Sequence, residues 1–328
     1  MNNQNKKLFE ELKKVSVNLG KNIDLIQANG GNTSIKIDDF IYIKGSGKHL
    51  SKAKDENIFA KLPLNKKDSE FYYDKTSKKV IRPSIEKDLH KLMPNKVVLH
   101  THPIDIVSLT MTVKGKNILK KNLNDFDWIW IDYCKPGDQL ANAVKKKIRE
   151  KTNVMVLQNH GLVVGANTAI EAEELHNQIL EKVKINPRNF QYNKKEILIR
   201  FLETSDVRAY LPNYEVIHSL ATDSWSNHLA HKNPHCPDHA VFFGLNIPFI
   251  ENNSGSLKKI YKKNKYVIVE GLGVFLFEQN HSLEVMLRAQ AEVFLRIKEK
   301  EDINLLTDNQ CYELINWEAE KLRKKEMK

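Results

Sequence analysis

Short β-rich runs along the first half of the chain, with helical stretches between and after them, constrain the fold most. Phe40-Ile41-Tyr42-Ile43, Val97-Val98-Leu99 and Val154-Met155-Val156-Leu157 are apolar, too short for helices, and suited to buried strands. Ile85 to Leu92 and Ala169 to Val183 read as helices, the latter with apolar residues spaced about 3.6 apart. The alternation predicts an α/β fold. Asn186-Pro187-Arg188-Asn189 stops the second helix, which divides the chain into 1–187 and 188–328. The second part opens with a helix from Lys194 to Leu202 and a polar, His-rich stretch from Asp223 to His239. Strands are expected at Ala240–Phe243, Tyr266–Val269 and Val274–Phe277, with an amphipathic helix from Ser282 to about Lys298. Val267 to Ile297 repeats the strand, turn, strand, helix order of Val154 to Ile185, with Gly273 standing for Gly161 and Glu270-Gly271 for Asn159-His160. The second part is therefore read as an α/β extension and a candidate degenerate repeat packed on the first.

A chain of 328 residues can bury one large core or two ordinary ones. No apolar run approaches the ~20 residues that cross a bilayer. Met1 to Lys14 reads as a polar amphipathic helix carrying Leu8, Phe9 and Leu12, without the apolar centre of a signal peptide. Cys134, Cys236 and Cys311 are too few and too scattered for a disulfide framework. A cytoplasmic protein is expected. The net charge of +11 comes from lysines spread along the whole chain, whereas nucleic-acid binders concentrate charge on one face with Arg and aromatics. The surface is read as solvated lysine with some attraction for anionic substrates, with neither nucleic acid nor membrane as a partner.

Chemistry concentrates in a few places. In Leu99-His100-Thr101-His102-Pro103, at the end of an apolar run, residues i and i+2 of a strand share a face, so His100 and His102 would sit side by side. That suits two ligands of one metal ion, although His-x-His alone is a weak signal. Gln158-Asn159-His160-Gly161 follows another strand, where His160 is either incidental to a turn or the third ligand that a catalytic zinc requires. In Arg82-Pro83-Ser84-Ile85-Glu86, Ser84 is placed as a helix N-cap, and Glu86 would complement the helix dipole. Asn29-Gly30-Gly31-Asn32-Thr33-Ser34 and Lys44-Gly45-Ser46-Gly47-Lys48 are small-residue loops that present backbone amides to an anion or simply turn the chain.

Gly31-Asn32-Thr33-Ser34, Lys44-Gly45-Ser46-Gly47, Pro83-Ser84-Ile85-Glu86, His100-Thr101-His102-Pro103 and Asn159-His160-Gly161 follow one another as in the class II aldolase/adducin family. The chain resembles that family over roughly residues 8 to 185. The family includes L-fuculose-1-phosphate and rhamnulose-1-phosphate aldolases and ribulose-5-phosphate 4-epimerase. The resemblance implies a three-layer αβα fold with a central sheet flanked by helices. It implies a zinc or other divalent ion on His100, His102 and His160, and Glu86 as catalytic acid/base. Gly31, Asn32, Ser46, Gly47 and Ser84 are implied as the substrate phosphate cradle. It also implies a symmetric homo-oligomer, often a tetramer. The chain departs from the family at Ile85, where a second Ser is usual, and in the short spacing from Glu86 to His100. Both features, with Pro237-Asp238-His239-Ala240-Val241 and Gly271-Leu272-Gly273, look more like the aldolase half of bifunctional rhamnulose-1-phosphate aldolase–dehydrogenase proteins.

The implied activity is that of a metal-dependent lyase in carbohydrate metabolism, cleaving a ketose or ketose phosphate through a zinc-stabilised enediolate. The same site would serve epimerisation, dehydration or decarboxylation of a sugar or sugar phosphate. The alternative of another class is a non-catalytic, adducin-like interaction module. A further candidate cluster is His228, His231, His235, Cys236, Asp238 and His239, whose ligand types suit a metal but whose local periodicity Pro234 and Pro237 break. It is read as a loop near the site's mouth or a subunit contact.

Overall fold

The computed structural model describes residues 2–65, 72–74, 79–205, 207–251 and 257–325; Met1 lies outside them. The chain begins with helix α1 (Asn3–Lys21), followed by a meander of β1 (Asn32–Ile37), β2 (Phe40–Lys44) and β3 (Phe59–Pro63), and a small hairpin of β4 (Tyr72–Asp74) and β5 (Lys79–Ile81). Then come α2 (Lys87–Leu92), β6 (Val97–Thr101), α3 (Ile104–Thr110), α4 (Gly115–Asn122), β7 (Trp128–Ile131), α5 (Asp138–Lys147), β8 (Val154–Leu157), β9 (Gly161–Ala166) and α6 (Ala169–Val183). A seven-stranded sheet has the order β3-β2-β1-β6-β9-β8-β7. Its pairings are antiparallel except β7 with β8.

The period of two in a strand explains the layers. Val97 and Leu99 of β6 pack with Leu12 and Val15 of α1 and Ile179 of α6. Val98, between them, packs with Leu89 of α2 and Leu140 and Val144 of α5. Both faces are therefore apolar and both are covered by helices, which makes an αβα three-layer fold. Burying each such side chain contributes about 1.5–3 kcal/mol relative to exposure. Helix α6 starts where a capping box fixes it: the Glu171 amide donates to Thr168 Oγ1 at 3.2 Å, and the Thr168 amide to Glu171 Oε2 at 3.1 Å.

The rest of the chain adds α7 (Lys195–Glu203), α8 (Ser219–Thr222), α9 (Ser224–Ala230), α10 (Pro237–Phe243), β10 (Phe249–Ile250), α11 (Leu257–Tyr261), β11 (Tyr266–Val269), β12 (Gly273–Leu276), α12 (His281–Leu295), α13 (Asp308–Ile315) and α14 (Glu318–Lys325). Strands β10, β11 and β12 form a small sheet. This region seats on α3: Ile104, Val107 and Met111 pack with Leu287, Ala291 and Phe294 of α12, and Arg296 Nε bonds Asp105 at 2.7 Å. β11, β12 and α12 repeat the order of β8, β9 and α6, each an antiparallel pair followed by a helix of 15 residues. Among the described residues no helix is long and apolar enough to cross a membrane.

Two local expectations are corrected. Ala240–Phe243 is not a strand but lies inside α10. Pro237 at the first helical position pre-sets the helical φ, and Gly244, at φ +77°, ends the helix where L side chains are disfavoured. These local signals override the β-propensity of Val241-Phe242-Phe243. Helix α2 begins at Lys87 rather than Ile85. Ser84 Oγ accepts the Glu86 amide at 3.2 Å, a local turn that holds Glu86 at the cap position instead of in the first turn.

Buried histidines make the fold acid-sensitive. His176 sits under the sheet with Nε2 at 2.8 Å from Thr101 Oγ1, and His218 Nδ1 accepts the Val274 amide at 3.1 Å. Burial lowers each from 6.5 to about 4. Between those values the unfolded chain takes protons that the native rings refuse, so stability falls as pH drops from about 6.5 towards 4. Each ring should cost about 2 kcal/mol by pH 5. Thermal melts at pH 7 and pH 5 check this; an unchanged midpoint would refute it.

Candidate metal centre and anion cradle

Strand β6 delivers the first ligand. His100 is fully buried and shares the face of Val98, opposite Asn32 of β1 and Val163 of β9. His102 follows just beyond the strand, its ring centroid 4.9 Å from that of His100. The β8–β9 turn brings His160 to 4.9 Å from His100 and 5.1 Å from His102. Asn159, at φ +55°, makes this tight turn and donates from Nδ2 to the carbonyls of His235 at 2.8 Å and Asn304 at 2.6 Å. The turn is thereby anchored to the C-terminal region.

The outer nitrogens decide what the inner ones can do. His100 Nδ1 lies 3.0 Å from the Leu162 carbonyl, and His102 Nδ1 lies 3.1 Å from Asp238 Oδ2. Each faces only acceptors, so each Nδ1 carries the ring proton and each Nε2 is a lone pair. Those two Nε2 atoms face each other at 3.2 Å. Two lone pairs at that distance repel unless a cation or a proton lies between them. Burial lowers the pKa of His100 and takes that of His160 to about 3, in each case against the pull of Glu86. Three imidazoles with ligand atoms within 4.8 Å of one another, His100 and His102 among them backed by a carbonyl and a carboxylate, are the donor set of a divalent-cation site. The residues fit such an ion.

Glu86 completes the constellation. Its Oε2 is 3.4 Å from His100 Nε2 and its Oε1 3.4 Å from His160 Nε2. Asn32 Nδ2 donates to Oε2 at 2.8 Å, whereas Oε1 is buried without a hydrogen-bond partner. Burial works against its charge, but His100, His160 and the Asn32 amide outweigh burial and hold it at about 2. The carboxylate is ionised at neutral pH.

One pocket joins these residues to the loops. Gly31, Asn32, Ser46, Gly47, Ser84, Glu86, His102 and His160 all line it, and His100 stands behind them. Gly31 has φ +54°, and a Cβ there would lie 2.7 Å from the His100 carbonyl. Only glycine allows the loop this close to β6. The Ser46 amide is used within the fold, donating to the Arg82 carbonyl at 2.8 Å, and Ser46 Oγ takes a bond from Arg82 Nη2 at 3.0 Å.

The structure adds residues that the sequence did not single out for the site. Lys44 Nζ donates to the carbonyls of Asn29, Gly30 and Gly31 at 2.7, 3.2 and 2.6 Å, tying the glycine loop down from beneath. Burial and the nearby Arg323 lower its pKa to about 7, against Asp238 and Glu86. Arg323 of α14 enters the pocket, where it bonds Asp238, Glu320 and Asn29 Oδ1. Burial opposes a charge on Asp238, yet Arg323 and His102 hold its carboxyl well below the usual range. Arg323 is 294 residues from Asn29, and no spacing in the sequence connects them. The His-rich stretch is not one cluster. His228 stacks on Trp225 and His231 on Phe249, whereas His235 and His239 pair with each other at 4.1 Å.

Comparison with known proteins identifies relatives of this chain. The L-fuculose phosphate aldolase of Methanocaldococcus jannaschii is 27% identical over 183 residues, covering 52% of this chain and 90% of that protein. The uncharacterized oxidoreductase YuxG of Bacillus subtilis is 32% identical over 184 residues, which are 49% of this chain but only 27% of that protein. The solved N-terminal class II aldolase domain of a conserved protein from Thermoplasma acidophilum is 26% identical, covers 53% of this chain and 91% of that one, and superposes with a TM-score of 0.45. The family model described as "Class II Aldolase and Adducin N-terminal domain" matches residues 11–185, more than half of the chain and the whole span that carries His100, His102, His160 and Glu86. The chain belongs to the class II aldolase and adducin family.

Proposed function

We propose that this protein is a metal-dependent lyase that cleaves a ketose or ketose phosphate by a retro-aldol reaction. The observation that carries the reading is Glu86: an ionised, buried carboxylate with one oxygen unpartnered, set between two histidines of the triad in a loop-lined pocket. His100, His102 and His160 would hold the divalent ion, zinc being the best match to a nitrogen donor set in a catalytic site. When bound, such an ion supplies Lewis-acid stabilisation of charge developing beside a carbonyl.

This chain's own groups supply the rest. Glu86 Oε1 takes or returns a proton at the carbon next to the carbonyl, and Asn32 Nδ2 holds the other oxygen so that the carboxylate keeps one orientation. Asp238 backs His102. Ser46, Gly47 and Ser84 face the same pocket from two loops and would bind the anionic or hydroxylated end of the substrate. The homologous L-fuculose phosphate aldolase supports a sugar phosphate as the substrate class. Three neighbouring uses of the site, epimerisation, dehydration and decarboxylation, would need the same groups; aldol cleavage is distinguished by its aldehyde and ketone products.

Metal-loaded protein offered a panel of ketose 1-phosphates and their unphosphorylated counterparts should release an aldehyde and a three-carbon ketone fragment from at least one of them. Turnover without release of that aldehyde and ketone pair would replace the aldol-cleavage reading. No turnover on any member, with metal bound, would favour the interaction module.

A further inference from the structure

Beside the histidine triad lies a second group of metal-ligating side chains that the proposed reaction does not use. His235, Cys236 and His239 bring one ligand atom each to within 4.8 Å of the others. All three are buried: His235 is 1% exposed, His239 3% and Cys236 9%. The pattern comes from local geometry. His235 lies just ahead of α10, which Pro237 starts, and His239 lies in its first turn; their ring centroids are 4.1 Å apart.

The chemistry of the cluster is unfinished without a ligand. Nδ1 of His235 and Nδ1 of His239 are both buried with no hydrogen-bond partner. An orphaned buried nitrogen is destabilising, and two in one cluster are unusual in a folded protein. Phe294 and Phe243 pack against the rings from the apolar side, so neither supplies a partner. The cluster opens instead onto a cavity of about 20 Å³, lined also by Met286, His102 and His160, large enough for one water or one ion.

We infer that His235, Cys236 and His239 form a second metal site for a zinc-class cation, separate from the histidine triad and built on α10. Two imidazoles and a thiolate are a borderline-to-soft donor set that favours zinc over magnesium or calcium. Zn–N bonds of about 2.0–2.1 Å and a Zn–S bond of about 2.3 Å put tetrahedral ligands roughly 3.5 Å apart. Ligand atoms that now lie within 4.8 Å of one another would draw in to that spacing on loading. The Cys236 proton leaves to solvent as the cation takes its place. Asp238 lies between two of these ligands in sequence and faces His102, so a cation here would also fix the carboxylate that backs a triad ligand.

The test uses cobalt(II) added to metal-free protein. Cobalt bound to a thiolate gives a near-ultraviolet charge-transfer band, whereas a site of three histidines gives none. Wild-type protein should bind two cobalt ions per chain and show the band. Cys236→Ser and His239→Gln should each lose one ion and the band, while His102→Ala should lose one ion and keep the band. If Cys236→Ser does not fold, His239→Gln and the wild-type spectrum still decide. Absence of the band in cobalt-saturated wild type overturns the proposal, as does a band that survives Cys236→Ser, which would place the thiolate at Cys134 or Cys311. One cobalt per chain with the band present would instead retain this site and remove the ion from the triad, so the two readings fail separately.

Discussion

Glu86→Gln protein is expected to bind its metal as wild type does and to turn over about 10²–10⁴-fold more slowly. Glutamine keeps the shape of the side chain and leaves an oxygen for the Asn32 amide, which now meets Glu86 Oε2 at 2.8 Å. It removes the unpartnered Oε1 as a proton acceptor. The three histidines are untouched, and the outer nitrogens of His100 and His102 keep the Leu162 carbonyl and Asp238 beside them. kcat and kcat/KM should fall together, the pattern of a group whose contribution is made in the transition state. Metal content and steady-state kinetics on the same preparation check this. Unchanged turnover would remove Glu86 from the reaction; loss of metal with turnover would make it a ligand instead.

His102→Ala should lose both. With one ligand gone, only His100 and His160 face the site, too few for the three protein ligands of a catalytic zinc. Losing Lewis-acid stabilisation worth several kcal/mol corresponds to a fall of about 10³-fold or more in turnover. The substitution also removes the imidazole 3.1 Å from Asp238 Oδ2, so the thermal midpoint should fall with it. Chelator treatment of wild-type protein should reproduce the loss, and added zinc should restore wild type but not the variant. Full activity in metal-stripped wild type would end the metal-dependent scheme.

The two variants probe residues of different legibility. His100 and His102 could be paired from sequence because the strand period is fixed at two: whatever sheet β6 joins, i and i+2 share a face. The strand-like run before His160, and the Asn and Gly beside it, similarly announced a tight turn, and the positive φ of Asn159 is what that turn uses. Bringing His160 to β6 took the resemblance, because no local rule makes β9 the neighbour of β6. Glu86 was visible as part of a helix entry, but its cap position rests on the Ser84 hydroxyl, a contact that propensity does not rank. Helix α10 was misread because its apolar run favours a strand, whereas Pro237 and Gly244 settle the ends.

The alternation of strands and helices, the apolar faces that require cover on both sides of the sheet, and the residue types able to hold a metal and move a proton are all legible along the chain. These follow from short-range periodicity and from side-chain chemistry, which travel with the chain. What surrounds the metal-ligating side chains comes from folding in three dimensions: Arg323 and Asp238 near the triad, Lys44 under the glycine loop, and the unpartnered Nδ1 atoms of His235 and His239 beside it. Those juxtapositions depend on which distant segments share a wall of the same cavity. Side-chain packing fixes that, and no spacing along the chain encodes it.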